Sequence, residues 1–182
     1  MGQKMKRLYG YLFILSLVLG GCGAPENVEP PKVGDTIADT SFTTLDGEVT
    51  TLASLREKLV VLHFWATWCA PCRKEIPSME RLSRQLDPGK FALLGISVDE
   101  DANLVKEFKL KYGIQFANHI DSEMALARGQ FGATAFPETF ILGRDGRLVR
   151  HMIGEQEWDT PAMLQVLNDA YNGVATKSGA YW

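Results

Sequence analysis

The feature that most constrains this chain is a short apolar strand followed almost at once by two cysteines. Residues 59–65 read LVVLHFW, a β-prone apolar run typical of a buried central strand. Cys69 and Cys72 follow in TWCAPC, and apolar residues recur at helical spacing over residues 70–86, before Pro88-Gly89. A strand, a Cys-x-x-Cys pair and a helix in this order predict a β-α-β unit with both cysteines at the start of its helix.

Such a pair of cysteines can bind a metal, form a structural disulfide or exchange electrons. Zinc needs four ligands, but there is no second Cys-x-x-Cys pair, and His63, His119 and His151 are scattered. A structural disulfide between residues this close would constrain the unfolded chain little. Redox exchange fits best, because free backbone N–H groups and the positive end of the helix would stabilise a Cys69 thiolate. We therefore expect a redox pair, with no bound metal and no dissociable cofactor.

The rest of the chain alternates strands and helices around this unit. Asp46-Gly47 and Asp145-Gly146 each lie between β-prone stretches and predict two hairpins. The other expected elements are a strand in 90–99, a helix over 104–112 ending at Gly113, a short strand in 114–121, a helix in 122–132, and a helix in 158–172 capped by Thr160. This order predicts an α/β fold whose mixed sheet has a parallel core and an antiparallel hairpin, with helices on both faces.

The N-terminal residues differ from the rest of the chain. A basic start, MGQKMKR, precedes an apolar run over residues 8–19, and together they predict an export signal in residues 1–21. The run is shorter than the roughly 20 residues that span a bilayer. The sequence LGGC ending at Cys22 resembles the lipobox of bacterial lipoproteins, which implies that Cys22 is lipidated. An uncleaved membrane anchor and a secreted protein with an unmodified cysteine are the alternatives.

The region after the signal divides into a linker, a domain and a tail. Residues 22–32 contain three prolines and little that could pack, so we expect a lipid-anchored linker. Residues 33–172 are expected to form one domain, and residues 173–182 a flexible tail.

The segment FWATWCAPCRKEIP, residues 64–77, resembles the active site of the thioredoxin superfamily, specifically the TlpA/ResA/CcmG-like thiol-disulfide oxidoreductases. The similarity extends over roughly residues 33–171 and includes AFPETFILGRDGRL. It implies a thioredoxin-like fold with an N-terminal β-hairpin extension and a central strand-helix insert. It also implies that Pro137, after Phe136, is a cis-proline facing the cysteines, where it presents a backbone edge to substrate. An ordinary trans proline at a strand start is the alternative.

Further residues are expected near the cysteine pair, each with a simpler alternative. Glu75 lies three residues after Cys72, and a partly buried carboxyl there would have a raised pKa and could shuttle protons. The alternative is a solvated glutamate on the helix surface. His63 could relay a proton from Cys72 or could be a core histidine without a catalytic role. The residues that we expect to bind substrate are Trp68, Phe136 and Glu138, although each could serve in packing or hydrogen bonding alone.

Together these features predict a membrane-anchored thiol-disulfide oxidoreductase at the extracytoplasmic or periplasmic face of a bacterial cell envelope. The Cys69 thiolate would attack a substrate disulfide, and Cys72 would resolve the mixed disulfide. The resemblance implies reduction of exported proteins, such as apocytochrome c, and a membrane electron donor that re-reduces the pair. A net charge of −3 gives no reason to expect nucleic acid. A thiol peroxidase and a non-catalytic lipoprotein binding module are the alternatives.

Overall fold

The computed structural model describes residues 28–174. The strands are β1 (Ser41–Thr44), β2 (Val49–Thr51), β3 (Leu59–Trp65), β4 (Phe91–Ser97), β5 (Ala117–Ile120), β6 (Glu138–Leu142) and β7 (Leu148–Ile153). The helices are α1 (Ala70–Ser83), α2 (Ala102–Tyr112) and α3 (Pro161–Tyr171), with a short 3-10 helix at Ala53–Leu55. The predicted signal peptide, Cys22 and residues 175–182 lie outside the described residues, so the expectations for them stay predictions.

The strands form one mixed sheet in the order β2-β1-β5-β4-β3-β6-β7. Strands β3, β4 and β5 are parallel, whereas β6 and β7 add an antiparallel hairpin at one side. Every residue of β3 is buried, which explains its uninterrupted apolar sequence. The predicted mixed sheet, with a parallel core and N-terminal hairpin, is therefore confirmed.

The helices begin and end close to where local sequence signals predict. The Thr160 side chain accepts a hydrogen bond from the Met163 N–H at the start of α3. Helix α2 ends at Gly113, whose φ of 66° is the left-handed conformation that terminates many helices. Helix α1 ends at Ser83, three residues before the predicted end, and is followed by a turn at residues 84–85 and a bend at residue 86.

The helix predicted in residues 122–132 is wrong. The strand of the insert is present as β5, but residues 122–123 and 125–130 form turns, and no part of residues 122–132 is a regular helix. The Asp121 carboxylate accepts hydrogen bonds from the N–H groups of Leu126 and Ala127, which closes a tight loop. Met124 has a φ of 55°, in the left-handed region that a right-handed helix excludes. The apolar residues do recur at helical spacing, but the hydrogen bonds from the backbone to the Asp121 side chain favour turns over a helix.

The two faces of the sheet are consequently covered by different kinds of structure. On one face, His63 of β3 lies against Glu75 of α1, and Trp65 packs against Phe108 of α2. On the other face, Phe64 packs against Phe131, which belongs to the turn segment. The expectation of helices on both faces is corrected accordingly: where the insert helix was predicted, turns cover the sheet.

The chain before the first strand lies against this turn segment. Gly132 has a φ of 60°, and a Cβ there would lie 2.4 Å from the Val28 carbonyl oxygen and 2.6 Å from the Pro30 nitrogen. Only a glycine permits both this conformation and this close backbone approach. Within residues 28–174, none of the helices combines the length and apolar character that crossing a bilayer requires.

Candidate active site

Cys69 and Cys72 form a disulfide at the N-terminus of α1, with their sulfurs 2.02 Å apart. Cys69 is the N-cap residue, and its sulfur accepts a hydrogen bond from the Cys72 N–H at 3.2 Å. The same N–H, together with the positive end of the helix, would stabilise a thiolate after reduction. Cys69 is 5% exposed and Cys72 is fully buried, so Cys69 is the sulfur that a partner can reach first.

The loop before β6 lies directly beside Cys69. The Phe136–Pro137 peptide bond is cis, as the resemblance implied, and the Phe136 carbonyl oxygen is 3.5 Å from the Cys69 sulfur. Pro137 is buried, whereas Phe136 is only partly buried. A backbone carbonyl therefore flanks the more accessible sulfur.

Trp68 provides an apolar rim on the same side of the site. Its side chain is 59% exposed, and its ring meets the Phe136 ring edge-on, with the centroids 6.2 Å apart. An aromatic ring this exposed offers a large apolar area to a partner that approaches Cys69. The Trp68 and Phe136 rings thus form an apolar rim, and the polar Phe136 carbonyl lies next to the Cys69 sulfur.

Glu75 is buried behind the cysteines instead of lying on the helix surface. Only 1% of it is exposed, and its Oε2 accepts hydrogen bonds from the Gln156 N–H and from the indole N–H of Trp158. Burial raises the pKa of Glu75 to about 7, because removing the carboxylate from water penalises its charged form. The alternative of a solvated surface glutamate is therefore wrong, and the group can gain or lose a proton near neutral pH.

His63 lies beside Glu75 in the core. Its Nε2 is 3.2 Å from Glu75 Oε1, and its Nδ1 is 2.9 Å from the Thr139 hydroxyl. Burial lowers the pKa of His63 to about 3, so the ring is neutral at pH 7. The Nε2 and Oε1 atoms are misaligned for a hydrogen bond in this arrangement, and neither has another hydrogen-bond partner. Near neutral pH the pair can therefore bind or release one proton at Glu75 while the imidazole stays neutral.

Glu138, which the sequence placed beside the substrate, is directed into the protein. It is 1% exposed, and its Oε2 accepts hydrogen bonds from the N–H groups of Thr134 and Ala135. Its Oε1 is 2.6 Å from Nε2 of His151 on β7. Both carboxylate oxygens are therefore engaged within the chain.

Sequence reasoning missed several residues of this site. Gln156 and Trp158 hold Glu75, Thr139 holds His63, and His151 holds Glu138. For the His151–Glu138 contact alone, the sequence offered a signal: the predicted hairpin at Asp145-Gly146, whose register determines which residues of β7 lie beside β6. Among residues 28–174, no group of three or more His, Cys, Asp or Glu side chains is arranged to hold a metal ion.

Comparison with known proteins identifies several relatives. Residues 33–151 match the AhpC/TSA family. The thiol-disulfide oxidoreductase ResA of Bacillus thuringiensis (strain Al Hakam) is 31% identical over 160 residues, which cover 85% of this chain and 92% of that protein. The thioredoxin-like protein YneN of Bacillus subtilis (strain 168) is 32% identical over 148 residues, or 78% and 85% of the two chains.

The fold also matches solved structures. The crystal structure of a thiol:disulfide interchange protein of the thioredoxin family from Chlorobium tepidum TLS superposes with a TM-score of 0.63 and 26% sequence identity. The match covers 78% of this chain and 99% of that chain. The match therefore includes almost the whole chain of the Chlorobium tepidum protein.

Proposed function

This chain belongs to the AhpC/TSA family and is a thiol-disulfide oxidoreductase of the TlpA/ResA/CcmG-like group of the thioredoxin superfamily, and from this premise we propose that it reduces disulfides in exported proteins. One observation carries the proposal. The Cys69–Cys72 disulfide faces the Phe136 carbonyl beside a cis-proline, with a buried carboxyl of raised pKa on the same helix.

The proposed reaction starts from the reduced cysteine pair. The Cys69 thiolate attacks one sulfur of a substrate disulfide, forming a mixed disulfide and releasing the other substrate sulfur as a thiolate that takes up a proton. The Cys72 thiolate then attacks the Cys69 sulfur, which forms the Cys69–Cys72 disulfide and releases the second substrate sulfur as a thiolate that takes up a proton. Two electrons pass to the substrate, and no dissociable cofactor takes part. A membrane electron donor must then reduce the pair again.

Glu75 has the acidity required for the second step. Cys72 is fully buried and must lose its thiol proton before it can attack Cys69. A carboxyl whose pKa is about 7 can accept that proton near neutral pH and return it in the reverse direction. His63 Nε2 lies 3.2 Å from Glu75 Oε1, and because burial keeps the imidazole neutral it would hold the proton only transiently, after a small rotation that aligns the two atoms. This close approach is the observation that supports a Glu75–His63 relay as part of the proposal.

Substrate would dock on the surface around Cys69. An extended segment of the substrate could pair with the backbone beside Pro137, next to the Phe136 carbonyl. The exposed Trp68 ring would contact residues that flank the substrate cysteine. This arrangement suits chains that are not yet folded, such as apocytochrome c before haem attachment.

The N-terminal sequence supports a position at the extracytoplasmic face of a bacterial cell envelope. The export signal in residues 1–21 would direct secretion, and LGGC would place a lipid on Cys22. We expect Cys22→Ser to shift the protein from the membrane fraction to the soluble fraction after cell disruption. Retention of the variant in membranes would favour an uncleaved anchor instead.

A trapping experiment tests the proposed function. In Cys72→Ala the mixed disulfide on Cys69 cannot be resolved, so partners stay covalently bound and can be identified from the cell envelope. Cys69→Ala is the matched control and should trap nothing by the same route. Recovery of apocytochrome c or of its maturation proteins would support the proposed client, whereas a broad set of exported proteins would indicate general disulfide reduction. Rapid peroxide consumption that persists in Cys72→Ala would favour a thiol peroxidase.

A further inference from the structure

The loop over residues 134–137 has exposed side chains but restrained backbone N–H groups. Thr134 and Ala135 are exposed, yet their N–H groups donate to Glu138 Oε2 at 3.0 and 3.3 Å. A loop of small exposed residues would otherwise leave these donors to water. A single buried carboxylate oxygen thus restrains two consecutive backbone N–H groups of the loop.

The carboxylate is in turn held from the neighbouring strand. Nε2 of His151 donates to Glu138 Oε1 at 2.6 Å, and the His151 ring stacks on Phe140 with the centroids 4.3 Å apart. Phe140 and His151 are direct partners in the register of β6 and β7. The Pro137 carbonyl oxygen also accepts a hydrogen bond from the Gly154 N–H, just beyond β7. The hairpin therefore fixes both Glu138 and the end of the loop.

We propose that Glu138 and His151 are positioning residues that hold the 134–137 loop in the shape that receives substrate beside Cys69. This inference rests on the proposed function and deepens it. Glu138 is too buried to contact a substrate directly, and both of its oxygens are engaged. It acts through the backbone, because the two hydrogen bonds to Oε2 restrain the chain that leads into the Phe136 carbonyl. Loss of the restraint would weaken docking while the cysteine chemistry continues.

Kinetics of disulfide reduction by the pre-reduced protein, with insulin as the probe, separate docking from chemistry. His151→Phe keeps an aromatic ring to stack on Phe140 but loses the N–H to Glu138, so the KM for insulin should rise about fivefold, the effect of one lost hydrogen bond. The accompanying change in kcat should be within about twofold, because the cysteines are untouched. His151→Gln retains an N–H donor and should restore most of the loss.

Glu138 variants and amide exchange provide a second readout. In Glu138→Ala the Thr134 and Ala135 N–H groups lose their acceptor, so their hydrogen exchange should accelerate by about tenfold or more. Glu138→Gln keeps an acceptor oxygen and should exchange nearly as slowly as the original protein. Thermal unfolding of each variant shows whether a change reflects the loop or general unfolding.

The results distinguish failure of this inference from failure of the proposed function. If the original protein does not reduce insulin, the proposed function fails, and the exchange measurements alone decide whether the carboxylate restrains the loop. If the original protein is active but His151→Phe leaves the KM unchanged, the inference is overturned. It is also overturned if His151→Gln is as impaired as His151→Phe, or if Glu138→Ala leaves exchange at Thr134 and Ala135 unchanged.

Discussion

Nε2 of His63 lies 3.2 Å from Oε1 of Glu75, and both side chains are fully buried. Burial lowers the pKa of the imidazole to about 3 and raises that of the carboxyl to about 7, so each group favours its neutral form. Near neutral pH the pair therefore holds a proton on the carboxyl for part of the time, next to a neutral ring. In the proposed reaction, the protons of the cysteine pair would pass through the same two residues whose burial links the stability of the core to pH.

Loss of the ionisable carboxyl of Glu75 should slow the reaction. Glu75→Gln keeps the size and the acceptor oxygen of the side chain but cannot accept a proton, so resolution of the mixed disulfide should slow by about 100-fold, the lower end of general acid-base contributions. The ionisation near pH 7 should disappear from the pH profile of kcat. The measurement is single-turnover disulfide reduction between pH 5 and 9. An unchanged profile in Glu75→Gln would exclude Glu75 from proton transfer.

The same substitution should increase stability at alkaline pH. Folding raises the pKa of Glu75 above its ordinary value of 4.5, so its contribution is greatest below that value and is lost as the pH rises through about 7. Glu75→Gln removes this loss and should stabilise the protein at pH 8 by on the order of 2 kcal/mol. Denaturant unfolding of the oxidised protein at pH 5 and pH 8 measures it. The idea fails if the two proteins show the same difference at both pH values.

His63 should produce the opposite dependence. Its pKa falls from 6.5 to about 3 on folding, so the stability it contributes is present above pH 6.5 and is lost as the pH falls toward 3. Between pH 6.5 and pH 5 the loss should be on the order of 2 kcal/mol, and His63→Asn should flatten it. His119→Asn is the control variant, because burial also lowers the pKa of His119. Its effect shows how much of the pH dependence comes from a second buried histidine. Equal slopes for His63→Asn and the original protein would mean that another group controls acid stability.

Trp68 should matter for substrate but not for folding. Its ring is 59% exposed, so Trp68→Ala should change the free energy of unfolding by no more than about 0.5 kcal/mol. Loss of its apolar contact should raise the KM for a protein disulfide by about tenfold. The reaction with glutathione disulfide provides a comparison, because that small substrate covers little of the aromatic rim. An equal effect on both substrates would argue for a general disturbance of Cys69.

Gly132 and Gly113 form a matched pair for testing how the N-terminal segment packs. Both have φ near +60°, so alanine at either position should cost about 1 kcal/mol in backbone conformation. A Cβ at Gly113 meets nothing within 4 Å, whereas one at Gly132 meets the Val28 carbonyl oxygen at 2.4 Å. Gly132→Ala should therefore cost at least about 1 kcal/mol more than Gly113→Ala. Equal costs in denaturant unfolding would show that residues 28–30 move away at little expense.

Much of the fold follows from local sequence signals. An uninterrupted apolar run predicts a strand buried on both faces, Asp-Gly pairs predict hairpins, and Thr160 and Gly113 mark helix ends. These signals are reliable because each depends on neighbours a few residues away. The prediction of a helix in residues 122–132 was wrong because it relied on apolar spacing alone. The Asp121 carboxylate accepts hydrogen bonds from backbone N–H groups of this segment, and apolar spacing carries no information about such bonds.

The sequence by itself determined the strand and the cysteine pair at a helix start, because these lie in short segments with strong local preferences, whereas the cis-proline at Pro137 was expected from the family resemblance. Only the tertiary structure decided that Glu75 is enclosed by Trp158 and His63, and that Glu138 faces His151 instead of substrate. Those contacts join residues 12 to 83 positions apart, and sheet register and helix packing bring them together. The pKa of a carboxyl follows from such surroundings, so the chemistry of this site depends on the folded chain.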